Sequence, residues 1–341
     1  MGQFQHDRQI ATWIRADSSR MFCTRPWRQI AILSDGEAVC SCIDAEKTNP
    51  LGNITTQSME EIWNGPRFRA LRKAVVENID RIPICRGCPN RVEGPPAPAD
   101  FIDGVPKPRI LFIEAHGGCN LACPGCSREG IEGSRTRLAM EFSTFQKTID
   151  ELSPDLEYME FHIGGENFMH KQANEMVRYC KDRNPSCKVL TSTNGHFFYT
   201  EERRQKLLDS GVDCVIFSVD GATQESYEKY RVNGKIDRVL DGMRQLAEMK
   251  KELVKSSPVL VWRYILFDWN DSQEEMDLAR RMAGEVGVDF LAWHLNGVDS
   301  QQASQRYYIG SPHLGEIEQE LWDTLMARFS QAVDLRLDTY R

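Results

Sequence analysis

The sequence predicts an α/β protein in which a parallel sheet, closed or partly closed into a barrel, follows a small cysteine-rich module. Three observations carry this: six strand-like segments alternating with amphipathic stretches, a proline- and glycine-rich break before them, and cysteines gathered in the first part of the chain. The strand candidates are RILFIEA (109–115), EYMEFHI (157–163), KVLTST (188–193), DCVIFSV (213–219), VLVWRYI (259–265) and DFLAWHL (289–295). Between them, EFSTFQKTIDEL, HKQANEMVRYCKD and DRVLDGMRQLAEMKKEL have helical spacing. Parallel neighbours need crossover helices, so this alternation implies a parallel sheet. Its active site belongs on loops at the C-terminal ends of the strands. HLGEIEQELWDTLMARFSQAVDL predicts a terminal helix.

The break NRVEGPPAPADFIDGVPKP (90–108) has no periodic apolar pattern and reads as a linker. It divides the chain into a module at 1–90, a linker at 91–108 and a larger domain at 109–341. Hydrophobic content of 41% and charged content of 27% fit a soluble globular protein. No apolar run has the length of a membrane span, and MGQFQHDRQIATWIRADSSR has no stretch resembling a secretory signal. A net charge of −8 without a basic block argues against nucleic acid as a partner. The expectation is a cytoplasmic enzyme with a small-molecule substrate and no membrane partner. Its 11 cysteines, an odd number in a chain of 341 residues, point to metal or redox chemistry rather than a disulfide framework.

Directly after the first barrel strand stands HGGCNLACPGCSREG, with the spacing Cys119-x3-Cys123-x2-Cys126. Three thiolates this close suit three irons of a cubane and leave the fourth iron open to a cofactor or substrate. A structural zinc site would call for four closed ligands. Gly117, Gly118 and Gly125 let the backbone wrap such a cluster.

This loop resembles that of the radical S-adenosylmethionine (SAM) superfamily, whose hallmark is CxxxCxxC after the first strand of a partial (β/α)6 barrel. The resemblance implies a [4Fe–4S] cluster on Cys119, Cys123 and Cys126, chelated at its open iron by SAM. An electron donor such as flavodoxin or ferredoxin then triggers cleavage of SAM to a 5′-deoxyadenosyl radical, which abstracts hydrogen from substrate. Where the family often has an aromatic residue before the last cysteine, this chain has Gly125.

Further motifs fall in register with the resemblance. Gly164, Gly165 and Glu166 resemble the GGE motif that receives the ammonium of SAM, although Asn167 follows where proline is commoner. In TSTNG, Ser192 and Asn194 are candidates for ribose contacts, or simply part of an Asn-Gly turn. SVDGATQESYEKYR is similar to the SxDG…R stretch of members with auxiliary clusters. There Ser218 and Asp220 point towards SAM or substrate, unless Asp220 only caps the next helix. Arg263 is a candidate for the carboxylate of SAM, against a structural ion pair. His294 is a candidate for SAM or substrate contact, against a satisfied core histidine.

The N-terminal stretch 23–88 resembles the SPASM/twitch auxiliary domain of the same superfamily. It carries a PW element, a hairpin with Asp35-Gly36 at its turn, a cysteine pair, GN, EIW and a final CxxC. The resemblance implies one auxiliary [4Fe–4S] cluster on Cys23, Cys85, Cys88 and one of Cys40 and Cys42, with four-cysteine zinc as the alternative. Cys42, two residues before Asp44, is the preferred ligand, and i, i+2 spacing places both on one strand face. EEIWNGPRFRALRKAV is helix-like. Relatives usually carry this domain after the barrel, so here the linker has to return it to the barrel mouth.

The leading reading is a radical SAM oxidoreductase or epimerase acting on a small carbohydrate or aminocyclitol. A radical SAM enzyme modifying peptide or protein side chains, and a non-catalytic Fe–S electron carrier, are the alternatives. Epimerisation needs a hydrogen donor, and a thiol is the usual choice. Cys187 and Cys214 begin strands at the wrong end of the barrel, and Cys180 lies on a helix as a small hydrophobe. By elimination Cys40 is the candidate catalytic thiol.

Overall fold

The computed structural model describes residues 21–88, 91–93, 102–296 and 302–324. Its N-terminal part holds strands β1 (Met21–Phe22), β2 (Gln29–Ile32), β3 (Glu37–Val39) and β4 (Gly52–Asn53), helices α1 (Met59–Trp63) and α2 (Pro66–Asn78), and β5 (Val92–Glu93). The predicted hairpin forms, with Gly36 at φ +84° in its turn, a conformation that favours glycine. The EIW segment splits into two helices. A Cβ on Gly65 would meet the Glu61 carbonyl at 2.1 Å, and Pro66 starts the second helix. Much of the predicted linker lies outside the described residues.

Each predicted barrel strand is present. β6 (Ile110–Ile113), β7 (Tyr158–Glu160), β8 (Lys188–Thr193), β9 (Cys214–Ser218), β10 (Val259–Leu266) and β11 (Phe290–Leu295) pair in sequence order, all parallel. The crossovers include α3 (Arg128–Ser134), α4 (Phe142–Leu152), α5 (Ala173–Arg183), α6 (Glu201–Ser210), α7 (Gln224–Tyr230), α8 (Ile236–Glu252) and α9 (Gln273–Val286). Period-two alternation sorts the strand residues onto two faces. Leu111, Ile113, Met159, Val215 and Trp262 pack outward with the helices. Ile110, Phe112, Tyr158, Leu190, Ile216, Val261 and Ala292 face inward.

The N-terminal module is not tethered at a distance. β2 pairs in parallel with β6, and β3 and β4 follow antiparallel, giving a nine-stranded sheet. Ile30 and Ile32 join the outer core, while Ala31 and Leu33 join the inner one. The Lys147 ammonium on α4 also donates to the Ile54 and Gln57 carbonyls at 2.7 and 2.8 Å.

One buried ion pair ties the pieces together at the end of β6. Arg135 grips Glu114 through Nε and Nη2 at 2.7 and 2.9 Å, with both side chains fully buried. The same carboxylate accepts from the Ser34 and Gly164 amides at 3.2 and 3.3 Å.

The predicted terminal helix is corrected over residues 313–321, while residues 322–324 are helical. Residues Leu314–Glu316 and Glu318–Glu320 are short 3₁₀ turns. Glu316 bonds Arg306 and His313, and Glu320 bonds Arg280 and the Trp293 indole. These anchors hold residues 313–321 against the barrel in place of a regular helix. Among the described residues, no helix is long and apolar enough to cross a membrane.

Arg135→Met leaves Glu114 buried without its cation. Urea denaturation is expected to show a loss of about 3–5 kcal/mol. Pairing it with Glu114→Gln recovers part of that loss, because the uncompensated charge is gone.

Candidate functional site

The three-cysteine loop leaves β6 at its C-terminal end, beside the Glu114–Arg135 pair. Its sulfurs are met by N–H donors: Leu121 N at 3.5 Å and Asn194 Nδ2 at 3.7 Å from Cys119, and Arg231 Nη1 at 3.7 Å from Cys123. Donors aimed at sulfur favour thiolates over thiols. In the protein alone, burial pushes Cys119 up to about 11 and also raises Cys123. Metal ligation would displace those protons. Cys126 is exposed. Gly125 adopts φ +73°, which explains why an aromatic residue is disfavoured there.

The Gly164-Gly165-Glu166 turn lies directly against this loop. Gly165 has φ +64°, and a Cβ there would meet the His116 carbonyl at 2.3 Å. The Glu166 amide donates to the Gly118 carbonyl at 2.9 Å. The Glu166 carboxylate is buried and accepts from Phe168 N, Thr193 Oγ1 and Asn194 N at 3.2, 2.9 and 2.7 Å. Burial raises its pKa despite these bonds. Asn167 braces the same corner: its Oδ1 accepts from Ala115 N and His116 N, and its Nδ2 donates to the Ile113 and Phe161 carbonyls. That role was missed in the sequence. The only signal was a polar residue where proline is commoner.

Ser192, Ser218 and Arg263 meet across three strands on the inner face. Arg263 Nη2 donates to Ser218 Oγ at 2.7 Å and to Ser192 Oγ at 3.5 Å, while its buried Nε has no partner. Burial lowers its pKa. His294 also has a buried Nδ1 without a partner, and burial lowers its pKa as well. Asn194 Nδ2 reaches Asn120 Oδ1 at 2.8 Å besides the Cys119 sulfur. Nearby, Glu160 Oε1 and His162 Nε2 are 3.0 Å apart, and His162 Nδ1 accepts from the Ser192 amide.

Asp220 neither caps a helix nor stands free. Its Oδ2 holds Arg231 Nε at 2.5 Å, its Oδ1 accepts from Ile265 N at 2.7 Å, and Thr223 caps α7 instead. Asp220 thus sets the arginine that faces Cys123. Burial opposes the charge on Arg231, but Asp220 and Cys123 more than offset this and raise its pKa. Arg231, the R of the SxDG…R stretch, belongs to the site although only Ser218 and Asp220 were singled out.

In the N-terminal module the expectation for the cysteine pair is corrected. Cys40 and Cys42 do not share a face, because β3 ends at Val39 and a 3₁₀ turn begins at Cys42, capped by Ser41. Cys40 packs against the outer core with Cys23 and Cys85, whereas Cys42 packs against the inner core. Cys40 therefore faces away from the barrel interior, where a hydrogen donor to substrate would have to stand. Burial raises Cys23 and Cys40, and lifts Cys42 to about 12 and Cys85 to about 11. Cys180, Cys187 and Cys214 are buried. Among the described residues, no three His, Cys, Asp or Glu side chains are close enough to hold a single metal ion. A cubane spreads its thiolates over separate irons.

A parallel partial barrel with a thiolate loop at its mouth defines an iron–sulfur enzyme class. Two family models match: the radical SAM superfamily over residues 113–275 and an iron-sulfur cluster-binding domain, SPASM, over residues 23–89. The chain belongs to the radical SAM superfamily, with a SPASM domain ahead of the barrel. The two domains imply SAM, a SAM-binding [4Fe–4S] cluster and an auxiliary Fe–S cluster as cofactors.

The chain is 27% identical over 219 residues to the tungsten-containing aldehyde ferredoxin oxidoreductase cofactor-modifying protein of Pyrococcus furiosus, covering 63% of this chain and 59% of that one. To the AdoMet-dependent heme synthase of Nitratidesulfovibrio vulgaris it is 29% identical, covering 58% and 50%. The chain spans about half the length of the curated relatives it matches. Among solved structures, SuiB of Streptococcus suis bound to S-adenosylmethionine is similar over 91% of this chain and 69% of its own. There the identity is 11% and the TM-score 0.48. BtrN in complex with AdoMet and 2-DOIA is similar over 46% of this chain and 56% of its own, with 23% identity and TM-score 0.35.

Gly165→Val tests the packing of the two loops. Its Cβ would meet backbone, and φ +64° strains any branched side chain. The expected result is loss of about four irons from the SAM-loop cluster, read by iron analysis after anaerobic reconstitution.

Proposed function

We propose that this chain oxidises a small polyhydroxylated substrate, a carbohydrate or aminocyclitol, using Cys119, Cys123 and Cys126 for the SAM-binding cluster. The observation carrying this reading is the polar patch on the inner wall. Glu160, His162, Ser192, Ser218, Arg263 and His294 line a face otherwise built from aliphatic and aromatic residues, and two of them hold nitrogens without partners. Unsatisfied buried donors are costly unless a ligand meets them.

When bound, SAM and its cluster supply a 5′-deoxyadenosyl radical that removes one hydrogen atom from the substrate. Around them, Gly164 and Gly165 keep side chains away from the ligand, while Glu166 shapes the turn through its three bonds. Asn194 and Arg231 steady the cluster sulfurs, and Asp220 orients Arg231. Arg263, with Ser192 and Ser218, binds a carboxylate or hydroxyl at its free Nε, and His294 adds a second contact.

Completing an alcohol oxidation also takes one proton and one electron from the substrate. Glu160 is the assigned proton acceptor, with His162 directing its Nε2–H at that carboxylate while Nδ1 serves the Ser192 amide. The auxiliary cluster of the N-terminal module suits the electron. Cys40 is turned from the interior and so is not the hydrogen donor that epimerisation needs, whereas Cys42 packs against the inner core; oxidation is read from the Glu160–His162 pair. The competing reading of a non-catalytic carrier yields no 5′-deoxyadenosine.

Replacing Cys119, Cys123 and Cys126 together by Ala is expected to abolish 5′-deoxyadenosine formation and lower iron from about eight to about four per chain. Wild-type SAM cleavage in that variant would end the assignment. Glu160→Gln is expected to lower product formation by about 10²–10⁴-fold while SAM cleavage continues. Deuterium transfer from labelled carbohydrates and aminocyclitols into 5′-deoxyadenosine identifies the substrate, and transfer only from peptides would overturn the class.

A further inference from the structure

The two cysteines after the hairpin lie on opposite sides of the wall: Cys40 is within electrostatic reach of Cys23, Cys85 and Cys88, Cys42 of Cys88 alone among them. We infer that Cys40, not Cys42, is the fourth ligand of the auxiliary cluster, with the buried Arg72 as its charge partner. This rests on the reading that the N-terminal module holds that cluster on Cys23, Cys85 and Cys88.

Strand alternation puts Ala38 outward and Val39 inward. One more extended step brings Cys40 outward again, where it packs against the cluster that contains Cys23 and is bordered by Cys85. Its thiol lies within electrostatic reach of those of Cys23, Cys85 and Cys88. The chain then turns. Ser41 accepts from Ile43 N, and the 3₁₀ turn Cys42–Asp44 carries Cys42 to the inner side among Val39, Ile110 and Phe112. Asp44 locks that turn through Thr48 N, Thr48 Oγ1 and Asn49 N at 2.7, 2.7 and 2.9 Å. Rotating Cys42 back to the outer side would break this network.

A second observation points to the same place. Arg72 is fully buried, stacked 4.5 Å from the Trp63 ring, and its Nε and Nη1 reach only the Pro26 and Ile102 carbonyls. Its Nη2 is buried without a partner. Burial lowers its pKa, and Asp103, Cys40 and Glu60 act on it only from a distance. A buried cation lacking a close carboxylate is expensive, and a thiolate-ligated cluster supplies the missing negative charge. Arg25 adds a second guanidinium: it bonds Gln29 Oε1 at 2.9 Å, and Gln29 Nε2 donates to the Cys40 carbonyl at 3.4 Å.

The assignment also fixes where the cluster sits. The register Ala31↔Val39 sets Cys40 opposite Ile30, about 13 Å along β2 from Ser34, which touches Glu114 at the SAM loop. The auxiliary cluster thus lies on the outer wall at the far end of the hairpin, placed to exchange electrons rather than to bind substrate.

The test compares Cys23→Ser, Cys40→Ser and Cys42→Ser, reconstituted anaerobically, by iron content and by the EPR signal of the reduced auxiliary cluster. Cys40→Ser is expected to lose or alter that signal as Cys23→Ser does, and Cys42→Ser to keep about eight irons and the native signal. The opposite pattern for Cys40 and Cys42 overturns the inference. If Cys23→Ser keeps both clusters, the reading of the module itself fails, and the inference falls with it. Because a ligand variant can fail to fold, the unmodified holoenzyme gives a second readout. Alkylation followed by mass spectrometry, before and after iron removal by chelator, is expected to expose Cys40 together with Cys23, Cys85 and Cys88. Labelling of Cys42 is expected to stay constant; newly exposed Cys42 with unchanged Cys40 would refute the assignment.

Discussion

The buried pair between Glu114 and Arg135 is the constraint on which the rest of the structure depends. It closes the C-terminal end of β6 at the point where the cysteine loop begins. Through its carboxylate it also holds the hairpin turn at Ser34 and the glycine turn at Gly164. A charge removed from water in this way demands a bidentate partner and further donors, and all of them are present. The pair therefore acts less as a source of stability than as a joint with one allowed geometry. Three segments distant in sequence meet there: the N-terminal module, the cysteine loop and the turn at Gly164 and Gly165.

From that joint the chemistry follows by close packing. Gly165 lets its turn rest on the backbone of the cluster loop, and Glu166 passes the alignment to Thr193 and Asn194 on the next strand. Asn194 reaches back to Cys119, while Asp220 holds Arg231 against Cys123. The sulfurs thus receive donors from the end of β8 and from the C-terminus of α7. Such hydrogen bonds stabilise negative charge on sulfur and tune a cluster without touching its irons.

The module that precedes the barrel extends its sheet. Since β2 runs parallel to β6, the module and the strand that leads into the cysteine loop form one continuous wall with a shared outer core. Their separation is set by strand length rather than by a flexible tether. An N-terminal position in the chain is thereby compatible with electron exchange across the wall.

Strand positions, the helical crossovers, the thiolate loop and the family were legible in the sequence, because periodicity and cysteine spacing are local properties written in neighbouring residues. Ser192 and Ser218 were legible as polar residues towards strand ends and Arg263 as an arginine among apolar neighbours, but their meeting was not. It depends on the register between strands about 25 to 70 residues apart, which spacing along one strand does not encode. The same holds for Asn167 and Arg231, whose value lies in partners supplied by other elements. Residues 313–321 were misread as helix, because glutamates that favour a helix locally are claimed there by Arg280, Trp293 and Arg306. The cysteine pair shows the division most sharply. The sequence by itself determined that two thiols stand two residues apart after a β-hairpin. Only the tertiary structure decided that they face opposite sides, because a capped turn ends the alternation between them and two separate cores draw them apart.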